Sequence, residues 1–124
     1  MSAESFSAAD AMRRIDALCS HVWMVRTFLK HSEEAEEVEE LRDVHRELYD
    51  FMLALGGPWQ AQDAAAYLRQ AEKKFGKLRR ITERFAAEQP EISTHTNFQM
   101  AAHSLQIAVA EIGEILQRAK PANP

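Results

Sequence analysis

Apolar residues recur along the chain at alternating spacings of three and four, the pattern of a helix with one buried stripe. The first stripe ends at Leu29, and continuing it in the same phase would bury charged residues such as Glu36. A new stripe begins instead at Leu41. The chain is therefore predicted to turn near residues 31–34, with Ser32 capping the second helix.

Capping residues, glycine and proline mark the other predicted helix ends. Ser7 and Asp10 form a capping-box pattern that starts the first helix. Gly56-Gly57-Pro58 is predicted to stop the second helix, and Pro90 to end the third. Because short connections make sequential helices antiparallel, we expect one domain, 1–124, folded as an all-α, up-down-up-down four-helix bundle. The predicted helices cover residues 8–31, 33–55, 59–87 and 91–119, followed by a tail at 120–124.

Opposite charges favour the antiparallel alignment of the second and third helices. Six glutamates lie between Glu33 and Glu40, and six basic residues lie between Lys73 and Arg84. An exposed ion pair contributes only about 0.2–1 kcal/mol, so we expect these charges to select the alignment rather than to supply stability.

The composition narrows the classes of function. The 124 residues include 15 Lys and Arg against 19 Asp and Glu, an acidic balance that argues against nucleic-acid binding. The single cysteine, Cys19, excludes an internal disulfide and a Cys-based zinc cluster. No apolar run reaches the roughly 18 residues of a membrane span, and residues 1–9 lack a signal-peptide pattern. We expect a cytoplasmic protein that does not bind membranes.

The first helix carries more large apolar residues than one buried stripe needs. Trp23, Met24 and Phe28 lie outside the stripe that ends at Leu29. Either a broad contact face within the bundle or a second copy of the chain covers them. Since exposed apolar patches usually mark interfaces, we expect a homodimer, or another protein partner, with these three residues at the contact.

Polar residues of the first and fourth helices are predicted to meet at the end that holds the first turn. The free amides and positive dipole end of the fourth helix favour a bound carboxylate or phosphate there. Alternatively, Thr94, His95 and Asn97 only cap that helix. The ligand-binding candidates are His21, Arg26, His31, His95, Asn97 and Gln99.

The five histidines do not follow a known metal-binding spacing. Di-iron bundles use Glu-x-x-His pairs on two helices, and here no Glu precedes a His by three residues. His103 is predicted to point away from the core, whereas His21 and His45 flank their stripes and are expected to be half-buried. We predict no metal ligands and no cofactor, and keep a small-ligand or metal-binding bundle near Arg26, His31 and His95 as an alternative function.

The stretch from Arg26 to His31 has the Arg-x-x-x-x-His spacing that resembles the active motif of HEPN-type ribonucleases. These enzymes are small helical bundles that pair to form a composite cleft. The resemblance implies that Arg26 would hold the phosphate and that His31 would act as general base. A HEPN-like ribonuclease is therefore a second alternative.

Two longer stretches, HVWMVRTFLKH at 21–31 and HTNFQMAA at 95–102, resemble short uncharacterised bacterial four-helix proteins that are sometimes labelled amidohydrolase. Amidohydrolases share a His-x-His metal motif on a barrel strand, and this chain has neither that motif nor the length of a barrel. The resemblance therefore implies a bundle without an assigned activity. No phosphate loop or nucleophile elbow is present, so we identify no catalytic residues and favour a non-catalytic interaction or structural module.

Overall fold

The computed structural model describes residues 7–119, and all the regular structure in this range is helical. A hydrophobic cluster contains buried side chains from each helix. The predicted all-α class is confirmed, and the predicted tail at 120–124 lies outside the described residues. The five helices are α1 Ala8–Lys30, α2 Glu34–Glu37, α3 Glu39–Gln60, α4 Ala64–Ile92 and α5 Thr96–Ala119.

Helix α1 follows the predicted pattern closely. The Ser7 hydroxyl accepts a hydrogen bond from the Asp10 amide at 3.0 Å, as the capping-box pattern predicts. The helix ends one residue before the predicted boundary, with His31 as its C-cap. Its buried side chains lie on one stripe and are Ala11, Met12, Ile15, Cys19, Val22, Val25 and Leu29.

The predicted turn after α1 is present and contains an additional helical turn. The Ser32 hydroxyl accepts from the Ala35 amide at 3.3 Å and donates to the Leu29 carbonyl at 2.7 Å. The chain then forms the one-turn helix α2, becomes extended at Val38, and enters α3 at Glu39. The prediction of a single helix from residue 33 is therefore wrong.

The break at Val38 has a clear packing reason. It allows both Ala35 of α2 and Leu41 of α3 to be buried, which a continuous helix would not permit in the observed phase. The Arg42 guanidinium donates to the carbonyls of Ala35 and Glu36 at 3.4 and 3.0 Å. These bonds satisfy carbonyls at the end of α2 and hold α2 against α3.

The prediction that Gly56-Gly57-Pro58 stops the second helix is wrong, because α3 continues to Gln60. The turn lies at Gln62, whose φ of 53° is left-handed. The Asp63 amide donates to the Pro58 carbonyl at 2.9 Å, and the Gln62 amide to the Trp59 carbonyl at 3.0 Å. This is a Schellman motif with glutamine in the position that glycine usually occupies.

The prediction that Pro90 separates the third and fourth helices is also wrong. Helix α4 begins after the cap Asp63 and runs through Pro90 to Ile92, so the predicted helix at 59–87 is displaced toward the C-terminus. Pro58 and Pro90 both lie in the last turn of their helices, where the missing amide removes a single hydrogen bond. Continuing past them lets Trp59 and Ile92 pack against the core.

Specific side-chain contacts connect the long helices. Helix α1 packs against α3 on one side and α5 on the other, and α4 also contacts α3 and α5. Glu47 and Asp43 of α3 pair with Lys77 and Arg84 of α4 at 3.4 and 3.9 Å. The acidic partners of the basic run are thus α3 residues that follow the glutamate run at 33–40. None of the helices within residues 7–119 combines the length and the apolar character that a membrane span requires.

Candidate functional site

The polar residues predicted to bind an anion at the start of α5 are engaged in local capping. The His95 ring Nδ1 accepts from the Asn97 amide at 3.0 Å, and the His95 carbonyl accepts from the Gln99 amide at 3.1 Å. The Gln99 side-chain amide donates to the Thr94 carbonyl at 3.0 Å. All four residues are exposed, and the capping alternative accounts for these bonds.

Arg26 does not join this group. Its guanidinium carbon lies 4.6 Å from the centroid of the Trp23 ring and 4.9 Å from that of Tyr49 on α3. These are cation–π distances, and they direct Arg26 toward α3, away from the side of α1 that packs on α5. His31 is exposed and lies about 140° around the helix axis from Arg26, so the two side chains do not converge.

The histidines lie on different faces. His21 is exposed, contrary to the expectation of half-burial, and its Nδ1 is 3.0 Å from the Ser104 hydroxyl of α5. His45 is half-buried on α3, where burial and then the charge of Arg26 lower its pKa. His103 is exposed, as predicted. Within residues 7–119, no group of three or more His, Cys, Asp and Glu side chains could hold a metal ion.

Apolar and aromatic side chains around Arg26 form an exposed surface across α1 and α3, which we call the aromatic–arginine patch. Trp23 is 42% exposed and Met24 is 63% exposed. Tyr49 is exposed, and Leu53, four residues further along the same face of α3, is 62% exposed. Arg26 is half-buried among them. The patch is defined by Trp23, Arg26, Tyr49 and Leu53; Met24 lies about 160° around the α1 axis from Arg26 and is outside the patch.

Phe28, the third predicted interface residue, has a different position. Its ring packs edge-on against Phe98 of α5, with the centroids 4.9 Å apart. Phe28 is therefore half-buried within the chain itself, while Trp23 and Met24 remain accessible. The extra apolar residues of α1 therefore differ: Phe28 is covered within the chain, whereas Trp23 and Met24 are accessible to a partner.

A pocket between α1, α3 and α4 was not predicted. It has a volume of about 170 Å³, is open to solvent on one side, and lies at the turn between α3 and α4. Burial raises the pKa of the Cys19 thiol to about 12, so this thiol is neutral and not a nucleophile near pH 7. Burial also raises the pKa of the Asp16 carboxyl. The pocket is lined by Asp16, Cys19, Met52, Leu55, Gly56, Trp59 and Tyr67.

One sequence signal for this pocket exists. Asp16 and Cys19 are three residues apart, so they share a face of α1 at the edge of its apolar stripe. Their partner Tyr67, in the first turn of α4, could be identified only once the contact between these helices was known.

No family model matches the sequence, and neither a curated protein nor a solved structure matches it significantly. The resemblances based on residues 21–31 and 95–102 stay expectations, as does the HEPN-like role of Arg26 and His31.

Proposed function

We propose that this chain is a non-catalytic helical interaction module that forms a homodimer through the aromatic–arginine patch. The observation that carries the proposal is the exposure of Trp23 and Tyr49 around the half-buried Arg26. Tryptophan, tyrosine, methionine and arginine are the residue types enriched at interfaces, and Trp, Tyr and Arg dominate binding hot spots. Burying such a patch on a partner removes apolar area from water.

The proposed scaffold is an up-down-up-down arrangement of the four long helices, with α2 inside the first connection. Two pairs of contacts support it. His21 and Phe28 of α1 contact Ser104 and Phe98 of α5, so residue numbers rise on one helix as they fall on the other. The ion pairs of Asp43 with Arg84 and of Glu47 with Lys77 give the same relation for α3 and α4.

Charges beside the patch favour a second copy as the partner. Arg46 and Asp50 are both exposed and lie four residues apart on α3, next to Tyr49. In a twofold interface, residue i of one copy contacts residue j of the other and the reverse. An antiparallel pairing of two α3 helices would therefore set Arg46 opposite Asp50 twice, with the two patches between them.

The test is the mass of the protein in solution. Light scattering at up to about 100 µM, well above a micromolar Kd, should give the mass of a dimer for the native chain. The double variant Trp23→Ser/Leu53→Ser should give a monomer with an unchanged helical circular-dichroism spectrum, because both side chains are exposed.

The matched control is on α5, away from the patch. Met100 and Ile107 are 52% and 63% exposed, so Met100→Ser/Ile107→Ser removes a comparable amount of apolar surface. This control should remain dimeric. A native chain that is monomeric at the highest concentration, or a control that dissociates as readily as the patch variant, would contradict the proposal.

A further inference from the structure

Basic side chains from two helices surround His45 where α1 packs against α3. One pair is four residues apart on α1 and the other is four residues apart on α3, so each pair lies on one face of its helix. Burial lowers the pKa of His45, and the charges of all four basic side chains lower it further, so the four charges act on the same small region. We call them the cationic cluster, which consists of Arg26, Lys30, Arg42 and Arg46.

The register of α1 against α3 brings the two pairs to similar heights. Arg26 contacts the Tyr49 ring, and the pocket between these helices joins earlier residues of α1 to later residues of α3. Residue numbers therefore rise on α1 as they fall on α3. Lys30, one turn after Arg26, is level with His45, one turn before Tyr49. At 1.5 Å per residue, the whole cationic cluster spans about 10 Å along the helix axes.

The cluster is not neutralised by ion pairs. Lys30, Arg42 and Arg46 are exposed and Arg26 is half-buried, and within residues 7–119 none of the four forms an ion pair. Glutamates follow directly in the sequence at 33–40, yet the Arg42 guanidinium donates to backbone carbonyls of α2 instead. Like charges that are held together repel each other, and a bound anion would remove this repulsion.

The donors of the cluster suit phosphate groups. Each guanidinium presents a planar fork of N–H donors that matches phosphate oxygens, and the Lys30 ammonium adds a mobile positive charge. The donors come from both sides of the contact between α1 and α3. A single phosphate would contact only part of this set, whereas a short chain of phosphates would reach both pairs.

We propose that the cationic cluster binds the polyphosphate chain of a small ligand. The phosphate oxygens would accept hydrogen bonds from Lys30, Arg42 and Arg46, and Arg26 would add its charge from the half-buried side. This site goes beyond the proposed function, because it needs no second copy of the chain. The polyphosphate is either free or part of a nucleotide, whose base would then lie beside Tyr49.

The experiment is a calorimetric titration of the full chain with inorganic triphosphate at low ionic strength. Binding should be saturable and should weaken as salt is added, because exposed charges are screened. Nuclear magnetic resonance gives an independent readout. The ring protons of His45 should titrate at a higher pH when triphosphate is bound, since a nearby anion favours the charged imidazole.

A parallel titration with ATP distinguishes the two sources of the polyphosphate. Equal affinities for triphosphate and ATP would identify the phosphate chain as the whole recognised group. Tighter binding of ATP would show that the base contributes as well, with Tyr49→Ala then reducing ATP binding to the level of triphosphate. Both outcomes support a polyphosphate site at the cationic cluster.

Matched substitutions on α1 and α4 locate the site. Lys30 and Lys73 are both exposed, and neither forms an ion pair among the described residues. Lys30→Gln should weaken triphosphate binding about fivefold, the effect of one exposed charge contact, and Lys73→Gln should leave it unchanged. Arg46→Gln and the α4 control Arg80→Gln should differ in the same way.

The dimer can be tested separately on the same proteins. Lys30 is outside the aromatic–arginine patch, so Lys30→Gln should lose affinity for triphosphate without any change of mass in solution. Absence of saturable triphosphate binding, equal weakening by Lys30→Gln and Lys73→Gln, or a His45 titration that triphosphate does not shift would each overturn the proposal.

Discussion

A change from glycine to alanine should have opposite effects at different positions of this fold. Alanine is favoured over glycine inside a helix by about 0.8–1 kcal/mol, since glycine loses more backbone freedom on folding. At Gly56 and Gly57, near the end of α3, a Cβ would meet no atom within 4 Å. We expect each Gly→Ala change there to stabilise the protein by about 0.5 kcal/mol, the lower end of this effect.

Gly113 is different because α4 approaches α5 closely there. A Cβ at Gly113 would lie 2.7 Å from Cζ of Phe75 and 3.2 Å from its Cε2, whereas ordinary contact begins at 3.4 Å. The half-buried ring must therefore move by several tenths of an ångström. Overpacking of this kind costs about 1–3 kcal/mol, which outweighs the helix-propensity gain, so Gly113→Ala should destabilise by about 1 kcal/mol.

Urea denaturation followed by circular dichroism measures these differences directly. The free energy of unfolding should be highest for Gly56→Ala, intermediate for the native chain and lowest for Gly113→Ala, with similar m-values. Combining Gly113→Ala with Phe75→Leu removes the ring and should recover most of the loss, giving a coupling energy of about 1 kcal/mol. A Gly113→Ala variant as stable as Gly56→Ala would refute the close approach of Phe75 to α5.

Three further predictions concern single residues. Gln62→Gly should stabilise the protein by about 0.5–1 kcal/mol in the same denaturation assay, because glycine adopts a left-handed φ without a Cβ penalty. The Cys19 thiol should resist an aromatic disulfide reagent at about pH 8 in the folded protein and react rapidly in urea, because it is buried and neutral; rapid native labelling would contradict its burial. Since burial and the charge of Arg26 lower the pKa of His45 in the folded protein, the unfolded chain gains its proton first as the pH falls. The free energy of unfolding should therefore decline as the pH falls through the ordinary pKa of histidine, about 6.5. The His45→Gln variant should show a smaller decline.

The buried stripes and the helix class could be predicted from the sequence because burial repeats with the helical period. Leu29 and Leu41 belong to different stripes, and this phase change correctly located the first turn. Helix ends at proline could not be predicted in the same way. Pro58 and Pro90 each cost one hydrogen bond in a final turn, and the packing of Trp59 and Ile92 beyond them decides where the helix ends.

In the candidate sites, too, features of a single helix could be predicted from the sequence, whereas contacts between helices could not. The accessibility of Trp23 and Met24 follows from their distance from the α1 stripe, which is local information. The contact of Arg26 with Tyr49 and that of Cys19 with Tyr67 depend on the relative register of separate helices. That register is set by many side chains packing together, and no spacing within one helix encodes it.

Because it contains only the one-turn helix α2, the segment between α1 and α3 should open locally more readily than the long helices. The last residues of α1 and α2 are seven positions apart, and the Arg42 side chain of α3 bonds two carbonyls of α2. Amide protons of Glu34–Glu37 should consequently exchange with deuterium well before those at the centre of α1. The same segment is the natural place to insert a peptide tag, since its disruption removes only Ala35 from the shared core and leaves the long helices in place.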